Sequence, residues 1–318
     1  MLRLAVPPAI DSESLAGFDP KASVVTLAGK TMGTQWRVLL AHSPGETATA
    51  GLAARIQALL DRLERALSHW DRQSLLMRFN LAAPGTWIQT SGDLAEILKQ
   101  GLTVARASHG AFDPAIGRLT DAWSLGPTRH GNPPDEARLA AARLASGWQR
   151  LVLTDGWLFQ PGGLWLDLSG IAKGFAAQAV ADLLASDGVY HVLIDVGGEC
   201  TGRGLRPDYD PWWVDMESPP GLPLPPLRVA LHQLSMATSG AYLGGHTIAP
   251  ATGAPASGML AATIIHAQGA MADAWASAMM ALSPPEARDL AMRQNLAARL
   301  VDDTGQEWLS PMLHAMLQ

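Results

Sequence analysis

One segment, residues 166–180 with the sequence LDLSGIAKGFAAQAV, constrains the fold of this chain more than any other. Leucines alternate with Trp, Asp and Ser across residues 164–169, which is typical of a half-buried strand. Gly170 then permits a turn, and residues 171–184 carry apolar side chains at helical spacing. The sequence therefore predicts a strand, a glycine turn and a helix in direct succession.

A strand, turn and helix in this order suit an anionic ligand. The first backbone N–H groups of a helix lack partners within the helix and lie at the positive end of its dipole. Lys173 adds a point charge for a phosphate group, and Asp167 can orient a ligand hydroxyl or amide or help to hold a metal. The motif predicts a phosphate-bearing ligand, although the same pattern also occurs as a plain structural turn. It matches neither the P-loop nor the dinucleotide-binding spacing.

The composition limits the size of the fold and the kinds of partner that the chain can bind. The chain has 318 residues, 48% of them hydrophobic, which is enough for one large domain or two intimately packed lobes. Its net charge of −6 and the lack of a basic stripe argue against nucleic-acid binding. Cys200 is the only cysteine, so an intrachain disulfide is excluded and a core position is expected for this residue.

Helical and strand patterns alternate irregularly, which predicts an α+β fold of mixed sheets with flanking helices. The predicted helices are residues 48–67, 91–108, 136–145, 171–184, 271–282 and 284–294. The main predicted strands are residues 24–28, 35–41, 191–196, 227–231, 261–266 and 298–302, with a turn at 29–34. Residues 1–22 are expected to form an N-terminal arm and residues 23–318 the main domain.

The sequence contains no apolar run long enough to cross a bilayer. Its N-terminus lacks both the apolar core of a secretory signal and a lipobox cysteine. As written, the sequence predicts a cytoplasmic protein, or a periplasmic one if a leader was removed.

Two polar side chains share one face of an otherwise apolar predicted helix, MADAWASAMM. Asp273 and Ser277 are spaced i, i+4, so their oxygen atoms lie about one turn apart. Carboxylate and hydroxyl oxygens are hard ligands suited to Mg²⁺, whose other positions would be filled by water and substrate phosphate. The alternative is structural, with Asp273 as a helix-start charge and Ser277 as a small packing residue.

Further candidate ligand contacts lie in turns. His246, in the loop GGHTIAPATG, can act as a general base at neutral pH. Trp70 has a flat ring that can stack on a heterocycle, and Met32 offers an apolar contact, although both types also serve as ordinary packing residues. Asp113 is predicted to cap a helix that begins at Pro114 or to accept a hydrogen bond from a ring N–H.

The order of the motifs resembles that of a known family. The chain resembles the ApbE family, the FAD:protein FMN transferases, in the ordered motifs TMGTQW, LSHWDRQSLLMRFN, GAFDPAIGRL, LDLSGIAKGFA, VGGE, TSGAY, HTIAPATG and ADAWASAM. The similarity runs from about residue 29 to residue 282. It implies an ApbE-like α+β fold and an Mg²⁺-dependent enzyme that uses FAD as its substrate.

The resemblance also implies roles for individual residues. The implied FAD contacts are Met32, Trp70, Ala111, Phe112, Asp113, Asp167, Lys173 and Thr247. The implied Mg²⁺ ligands are the carbonyl of Gly170 and the side chains of Asp273 and Ser277. His246 matches the histidine implicated in the transfer step.

The activity implied by the resemblance is transfer of the FMN moiety of FAD to a Thr or Ser hydroxyl of an acceptor flavoprotein, with release of AMP. Two alternatives stay open at this point. One is an FAD pyrophosphatase that forms FMN and AMP, and the other is a non-catalytic FAD-binding protein. Ala241 and Ala249 stand where the family often has acidic residues, which makes the second alternative conceivable.

Overall fold

A computed structural model gives the fold and describes residues 1–7, 9–10, 12–43, 49–243 and 247–317. The strands in these ranges are β1 (Arg3–Ala5), β2 (Ser23–Thr31), β3 (Thr34–His42), β4 (Thr86–Gln89), β5 (Val152–Thr154), β6 (Trp157–Gln160), β7 (Val192–Val196), β8 (Glu199–Arg203), β9 (Trp212–Asp215), β10 (Leu227–Leu231), β11 (Leu234–Gly240), β12 (Ile248–Ala249), β13 (Ala254–Pro255), β14 (Met259–His266), β15 (Ala297–Asp302) and β16 (Glu307–Leu309). The helices are α1 (Thr49–Leu67), α2 (Leu75–Asn80), α3 (Gly92–Ala107), α4 (Gly117–Ala122), α5 (Glu136–Ala145), α6 (Ala172–Ser186), α7 (Gly269–Met280), α8 (Pro284–Arg293) and α9 (Pro311–Met316).

An eight-stranded sheet lies at the centre of the fold, in the order β16-β15-β14-β11-β8-β7-β3-β2. Its neighbouring strands pair antiparallel. Two three-stranded sheets, β1-β10-β9 and β4-β6-β5, and the pair β12-β13 lie around it. The prediction of an α+β fold with mixed sheets and flanking helices is confirmed.

The central sheet has a hydrophobic core on each side, because successive residues of a strand point to opposite faces. Val192 and Ile194 of β7 belong to the larger core, which also contains buried residues of α1, α3, α6 and α7. Leu193 and Cys200 belong to the smaller core on the other side, together with Trp212 of β9. Cys200 is therefore the core residue that the sequence predicts.

The predicted helices are confirmed, each with ends within two residues of the expected positions. The six-residue helices α2 and α9 were not predicted, because so short a segment shows little periodicity. The turn predicted at residues 29–34 is shorter than expected. Only Met32 and Gly33 separate β2 from β3, and both have positive φ, as a two-residue hairpin turn requires.

The prediction of a strand at residues 164–169 is wrong, although its leucines are buried as the alternation indicates. Side-chain amides take the place of a neighbouring strand. Asn80 accepts from the backbone N–H of Leu166 at 2.7 Å and donates to its carbonyl at 3.0 Å. Gln160 accepts from the N–H of Leu164 at 3.0 Å and donates to its carbonyl at 3.0 Å. The backbone groups are thus satisfied without a strand ladder.

The first residues of the chain pack on the second core. β1 pairs in parallel with β10, and Arg3 forms an ion pair with Glu307 at 2.5 Å. These contacts tie part of the predicted arm to the rest of the chain, and the boundary at residue 22 stays a prediction. In the ranges that the structure describes, no helix is both long and apolar enough to span a membrane.

Candidate active site

Helices α6 and α7 cross closely because glycines lie at their contact. A Cβ atom on Gly174 would lie 2.2 Å from the carbonyl oxygen of Gly269, so a larger residue does not fit there. Gly170 is needed for space as well, since a Cβ atom on it would lie 2.5 Å from Oγ of Ser277. The crossing therefore brings the beginning of α6, the predicted anion-binding end, against the polar face of α7.

The oxygen atoms predicted to bind a metal lie at this crossing. Asp273 is 3% exposed, and its Oδ2 accepts a hydrogen bond from the backbone N–H of Gly174 at 3.0 Å. One turn later, Oγ of Ser277 donates to the carbonyl oxygen of Gly170 at 3.3 Å. One carboxylate, one hydroxyl and one carbonyl thus line the same cavity.

Half-buried Lys173 and buried Glu199 form an ion pair near Asp273. The backbone N–H of Thr238 donates to the second carboxylate oxygen of Glu199 at 3.2 Å. Burial raises the pKa of Asp273, and burial together with the charge of Asp273 raises the pKa of Glu199. Burial acts to lower the pKa of Lys173, but the two carboxylates hold it above its ordinary value. Two buried acids therefore share one cationic side chain, so this end of the cavity favours additional positive charge.

The donor set at this end fits a hard cation. Within the described ranges, no group of three or more His, Cys, Asp and Glu residues could hold a metal. A cation at the crossing would therefore combine the Asp273 carboxylate with the neutral oxygens of Gly170 and Ser277. Carboxylate, hydroxyl, carbonyl and water oxygens are the ligands that Mg²⁺ takes in proteins. The pKa shift of Asp273 agrees with this fit, because a cation would offset the unfavourable burial of its charge.

Asp167 also lines this cavity but differs from Asp273 in that both of its oxygens accept hydrogen bonds from side chains or backbone nearby. Oδ1 accepts from the backbone N–H of Ser169 at 3.0 Å and from its hydroxyl at 2.7 Å, and it lies 3.3 Å from Nδ1 of His69. Oδ2 accepts from the hydroxyl of Thr120 at 2.7 Å. Burial alone would raise the pKa of Asp167, but His69 and Ser169 hold it well below its ordinary value. Asp167 is therefore a buried carboxylate with four protein donors, three at Oδ1 and one at Oδ2.

A second cavity, of about 510 Å³, adjoins the first and shares Ser169 and Lys173 with it. Its walls include Met32 and Trp70, and the Trp70 side chain is 58% exposed. The Trp70 ring lies against His69, with ring centroids 4.7 Å apart and planes inclined at 51°. This cavity offers an accessible aromatic surface next to the cationic end of Lys173.

The turn of Ala111, Phe112 and Asp113 forms another wall of the first cavity. The prediction that Asp113 caps a helix beginning at Pro114 is wrong, because α4 begins at Gly117. The Asp113 carboxylate instead accepts from the backbone N–H groups of Ala115 at 2.7 Å and Trp148 at 3.2 Å, which join two loops. Burial raises the pKa of Asp113 to about 6.

Most of the residues predicted from the sequence lie together. The first cavity, of about 350 Å³, is lined by these predicted residues: Ala111, Phe112, Asp113, Asp167, Gly170, Lys173, Thr247, Asp273 and Ser277. Met32 and Trp70 line the adjoining cavity. His246 lies outside the described residues, so its role stays a prediction.

Sequence reasoning missed several side chains of the site. Glu199 lies in the motif VGGE, but the motif alone gave it no role. His69 lies in the motif LSHWDRQSLLMRFN, next to the predicted stacking residue, and was likewise given no role. Thr120 and Ser169 are too common to be singled out without the position of Asp167.

These observations define a class of protein, an α+β enzyme with a buried, charged pocket that suits a phosphate-bearing ligand. The ApbE family model matches residues 32–300, and the chain belongs to the ApbE family. The family resemblance inferred from the motifs is thereby confirmed.

Curated relatives and solved structures agree with this assignment. The chain is 32% identical to the FAD:protein FMN transferase of Klebsiella pneumoniae (strain 342), over 94% of this chain and 91% of the relative. It is 31% identical to the FAD:protein FMN transferase of Escherichia coli (strain K12), over 92% and 89% of the two chains. The flavin transferase ApbE from Vibrio cholerae superimposes with a TM-score of 0.87 at 27% identity, covering 93% of this chain and 99% of the other. The apo form of the Pseudomonas stutzeri flavinyl transferase ApbE gives a TM-score of 0.87 at 28% identity, over 94% and 99%.

Proposed function

We propose that this protein transfers the FMN moiety of FAD to a Thr or Ser hydroxyl of an acceptor flavoprotein, releases AMP, and depends on Mg²⁺. Membership of the ApbE family supports the reaction class. The observation that carries the proposal is the pairing of Lys173 with Glu199 beside Asp273, at the beginning of α6. This arrangement combines a cationic side chain with an unmet need for positive charge, which together suit a pyrophosphate and its metal. The backbone N–H groups of Ala172 and Gly174 at the start of α6 already donate to the carbonyl of Leu168 and to Asp273.

Lys173 is the residue best suited to bind the pyrophosphate. It lines both cavities, so its ammonium group can serve phosphate oxygens at the junction between them. Glu199 holds the ammonium in position, and because the carboxylates keep Lys173 protonated, its charge is available at neutral pH. Charge stabilisation and alignment are the main requirements of phosphoryl transfer.

Mg²⁺ would be held by the Gly170 carbonyl, the Asp273 carboxylate and the Ser277 hydroxyl. When bound, it would supply neutralisation of pyrophosphate charge and of the charge that develops on the departing AMP phosphate. The carboxylate of Asp273 is already buried and oriented by the N–H of Gly174, so little rearrangement of this side chain is needed.

The two adjoining cavities suit the two ends of FAD. Trp70 and Met32 provide aromatic and apolar surfaces for the flavin ring in the second cavity. The turn of Ala111, Phe112 and Asp113, with Thr247, lies on the other side of Lys173 and would contact the nucleotide end. The pyrophosphate would then lie at the junction, next to Lys173.

In the proposed reaction, the acceptor hydroxyl oxygen forms a bond to the phosphorus atom on the FMN side of the pyrophosphate. The bond between that phosphorus and the bridging oxygen breaks, and AMP leaves with the bridging oxygen. The hydroxyl proton passes to a base, which we propose to be His246, and a positioned base contributes about 10²–10⁴-fold to such a step. The product carries FMN through a phosphoester bond.

The proposal is tested by incubating the purified chain with FAD and Mg²⁺, with and without a threonine-containing acceptor peptide, and quantifying AMP and peptide mass. A peptide in which that threonine is replaced by alanine is the matched control. We expect AMP and FMN-labelled peptide in equal amounts with the threonine peptide, and neither product with its control. AMP and free FMN without labelling would favour the pyrophosphatase, and intact FAD in every sample would favour a binding protein.

A further inference from the structure

One buried side chain in the wall of the second cavity has a polar atom that lacks a partner. His69 is 8% exposed and lines this cavity together with Trp70. Its Nδ1 atom lies 3.3 Å from the Asp167 carboxylate, whereas Nε2 has no hydrogen-bond partner among the described residues. Burial of an imidazole nitrogen without a partner is unfavourable. The atom therefore marks a hydrogen bond that a bound molecule can complete.

Asp167 orients this imidazole, and protein donors contact both of its oxygens, three of them at Oδ1 and one at Oδ2. A carboxylate offers about four lone-pair sites. Asp167 receives four donors, two from Ser169, one from Thr120 and one from His69. Because a carboxylate only accepts, the proton of His69 that faces it is fixed on Nδ1, and Nε2 is left for other contacts. The group that Asp167 presents to the second cavity is thus the imidazole of His69.

The surroundings of His69 indicate the shape of the ligand. The Trp70 ring lies 4.7 Å from the His69 ring, centroid to centroid, and most of its side chain is exposed. An aromatic face next to a hydrogen-bonding nitrogen suits a flat heterocycle with polar atoms on its edge. The isoalloxazine ring of a flavin has this chemistry, with carbonyl oxygens and ring nitrogens along one edge.

We propose that His69 binds the flavin ring directly, through a hydrogen bond that Nε2 accepts from an N–H of the ring edge, and that Asp167 is the positioning residue for His69. This inference rests on the proposed function, since it takes FAD as the ligand. It assigns recognition of the ring edge to the His69 and Asp167 pair and assigns stacking to Trp70.

The experiment compares two probes, riboflavin for the ring and ADP for the phosphate end, by calorimetric titration in the presence of Mg²⁺. The variants are His69→Leu, Asp167→Asn and the double variant. His314→Leu, at an exposed histidine of α9, is the matched control. We expect His69→Leu to weaken riboflavin binding about tenfold, the typical effect of losing one buried hydrogen bond, and to leave ADP binding within about twofold. Asp167→Asn should weaken riboflavin binding in the wild-type background and have no further effect in the His69→Leu background.

ADP binding also reports folding, so a misfolded variant is recognised by the loss of both probes. Unchanged riboflavin affinity in His69→Leu would overturn the inference, and so would an equal loss of riboflavin and ADP binding, which would indicate a structural role. Additive effects of the two substitutions would remove the positioning role of Asp167. Failure of the unaltered chain to bind FAD would contradict the proposed function itself, whereas FAD transfer with unchanged riboflavin binding in His69→Leu would contradict only this inference.

Discussion

Asp167 and Asp273 are both fully buried carboxylates in the wall of one cavity, yet burial has opposite outcomes for them. The pKa of Asp167 is well below its ordinary value, whereas the pKa of Asp273 is raised. Asp167 has four donors around its oxygens, whereas Asp273 has the backbone N–H groups of Lys173 and Gly174 and the charge of a lysine that pairs with Glu199. The comparison shows that the hydrogen-bonding and charged partners of a buried acid, rather than its burial, decide whether the protein itself compensates the negative charge of that acid.

The difference separates two tasks in the site. A carboxylate that accepts hydrogen bonds from several protein donors is suited to position other side chains, as we propose for Asp167 and His69. A carboxylate with incomplete partners is suited to a cation supplied from outside the chain, as we propose for Asp273. Substitutions at the two positions should therefore have different consequences for activity and for stability.

The largest expected effect is on activity. Asp273→Asn should lower the rate of AMP formation from FAD by about 10³-fold, because it removes the charged ligand of the proposed metal site. Chelation of Mg²⁺ should lower the wild-type rate to a similar level. The free energy of unfolding should stay the same or rise, since an unfavourably buried charge is removed. Asp289→Asn, at an exposed aspartate of α8, is the matched control, and a similar loss of rate in both variants would contradict this assignment.

The second effect is on stability. Asp167→Ala should lower the free energy of unfolding by about 3 kcal/mol, because it leaves the buried polar groups of His69 and Thr120 without their acceptor. Urea denaturation monitored by tryptophan fluorescence measures this change. A loss below about 1 kcal/mol would mean that the four donors find other partners and that the contrast with Asp273 is weaker than the structure indicates.

Lys173→Met should weaken ADP binding about 10–100-fold, because one charge-assisted contact to the pyrophosphate is lost. Calorimetric titration measures the affinity, and Lys99→Met, at an exposed lysine of α3, is the matched control. An unchanged affinity would show that the phosphates bind elsewhere than at the junction of the two cavities.

The smallest expected effect is a difference in pH dependence between two buried histidines. Burial acts to lower the pKa of His69, but the Asp167 carboxylate raises it above 6.5. Its stabilising pairing is therefore fully present below pH 6.5 and is lost as the pH rises through the folded-state value. Burial lowers the pKa of His191, whose Nε2 donates to the carbonyl of Ala16 at 3.0 Å. Its contribution is present above pH 6.5 and is lost as the pH falls.

Urea denaturation of His69→Gln and His191→Gln at about pH 5 and about pH 8 checks these signs. Relative to the wild type, His69→Gln should be more destabilising at the acidic pH, and His191→Gln at the alkaline pH. The same sign for both variants would mean that the Asp167 pair does not set the protonation of His69.

Sequence patterns predicted site residues best where all the residues of a pattern lie in one helix or one turn. The spacing of Asp273 and Ser277 on α7, and the glycine turn before Lys173, could be recognised because the helical period places those residues. The position of Glu199 could not be predicted, because the α6 and β8 residues that form its ion pair meet only in the folded chain. The residues at 164–169 show the same limit, since the amides that replace a strand come from Asn80 and Gln160. The alternation of leucines with polar residues correctly predicted that the leucines of this segment are buried. It wrongly predicted that the segment pairs with a neighbouring strand.

The most direct test of the account is a calorimetric titration of Mg²⁺ into the chain in the presence of ADP, repeated for Asp273→Asn and Asp167→Asn. The account predicts one bound Mg²⁺ for the unaltered chain, a loss of that binding in Asp273→Asn, and its retention in Asp167→Asn. Retained Mg²⁺ binding in Asp273→Asn, or its loss in Asp167→Asn alone, would contradict the division between a carboxylate that positions and a carboxylate that binds a cation.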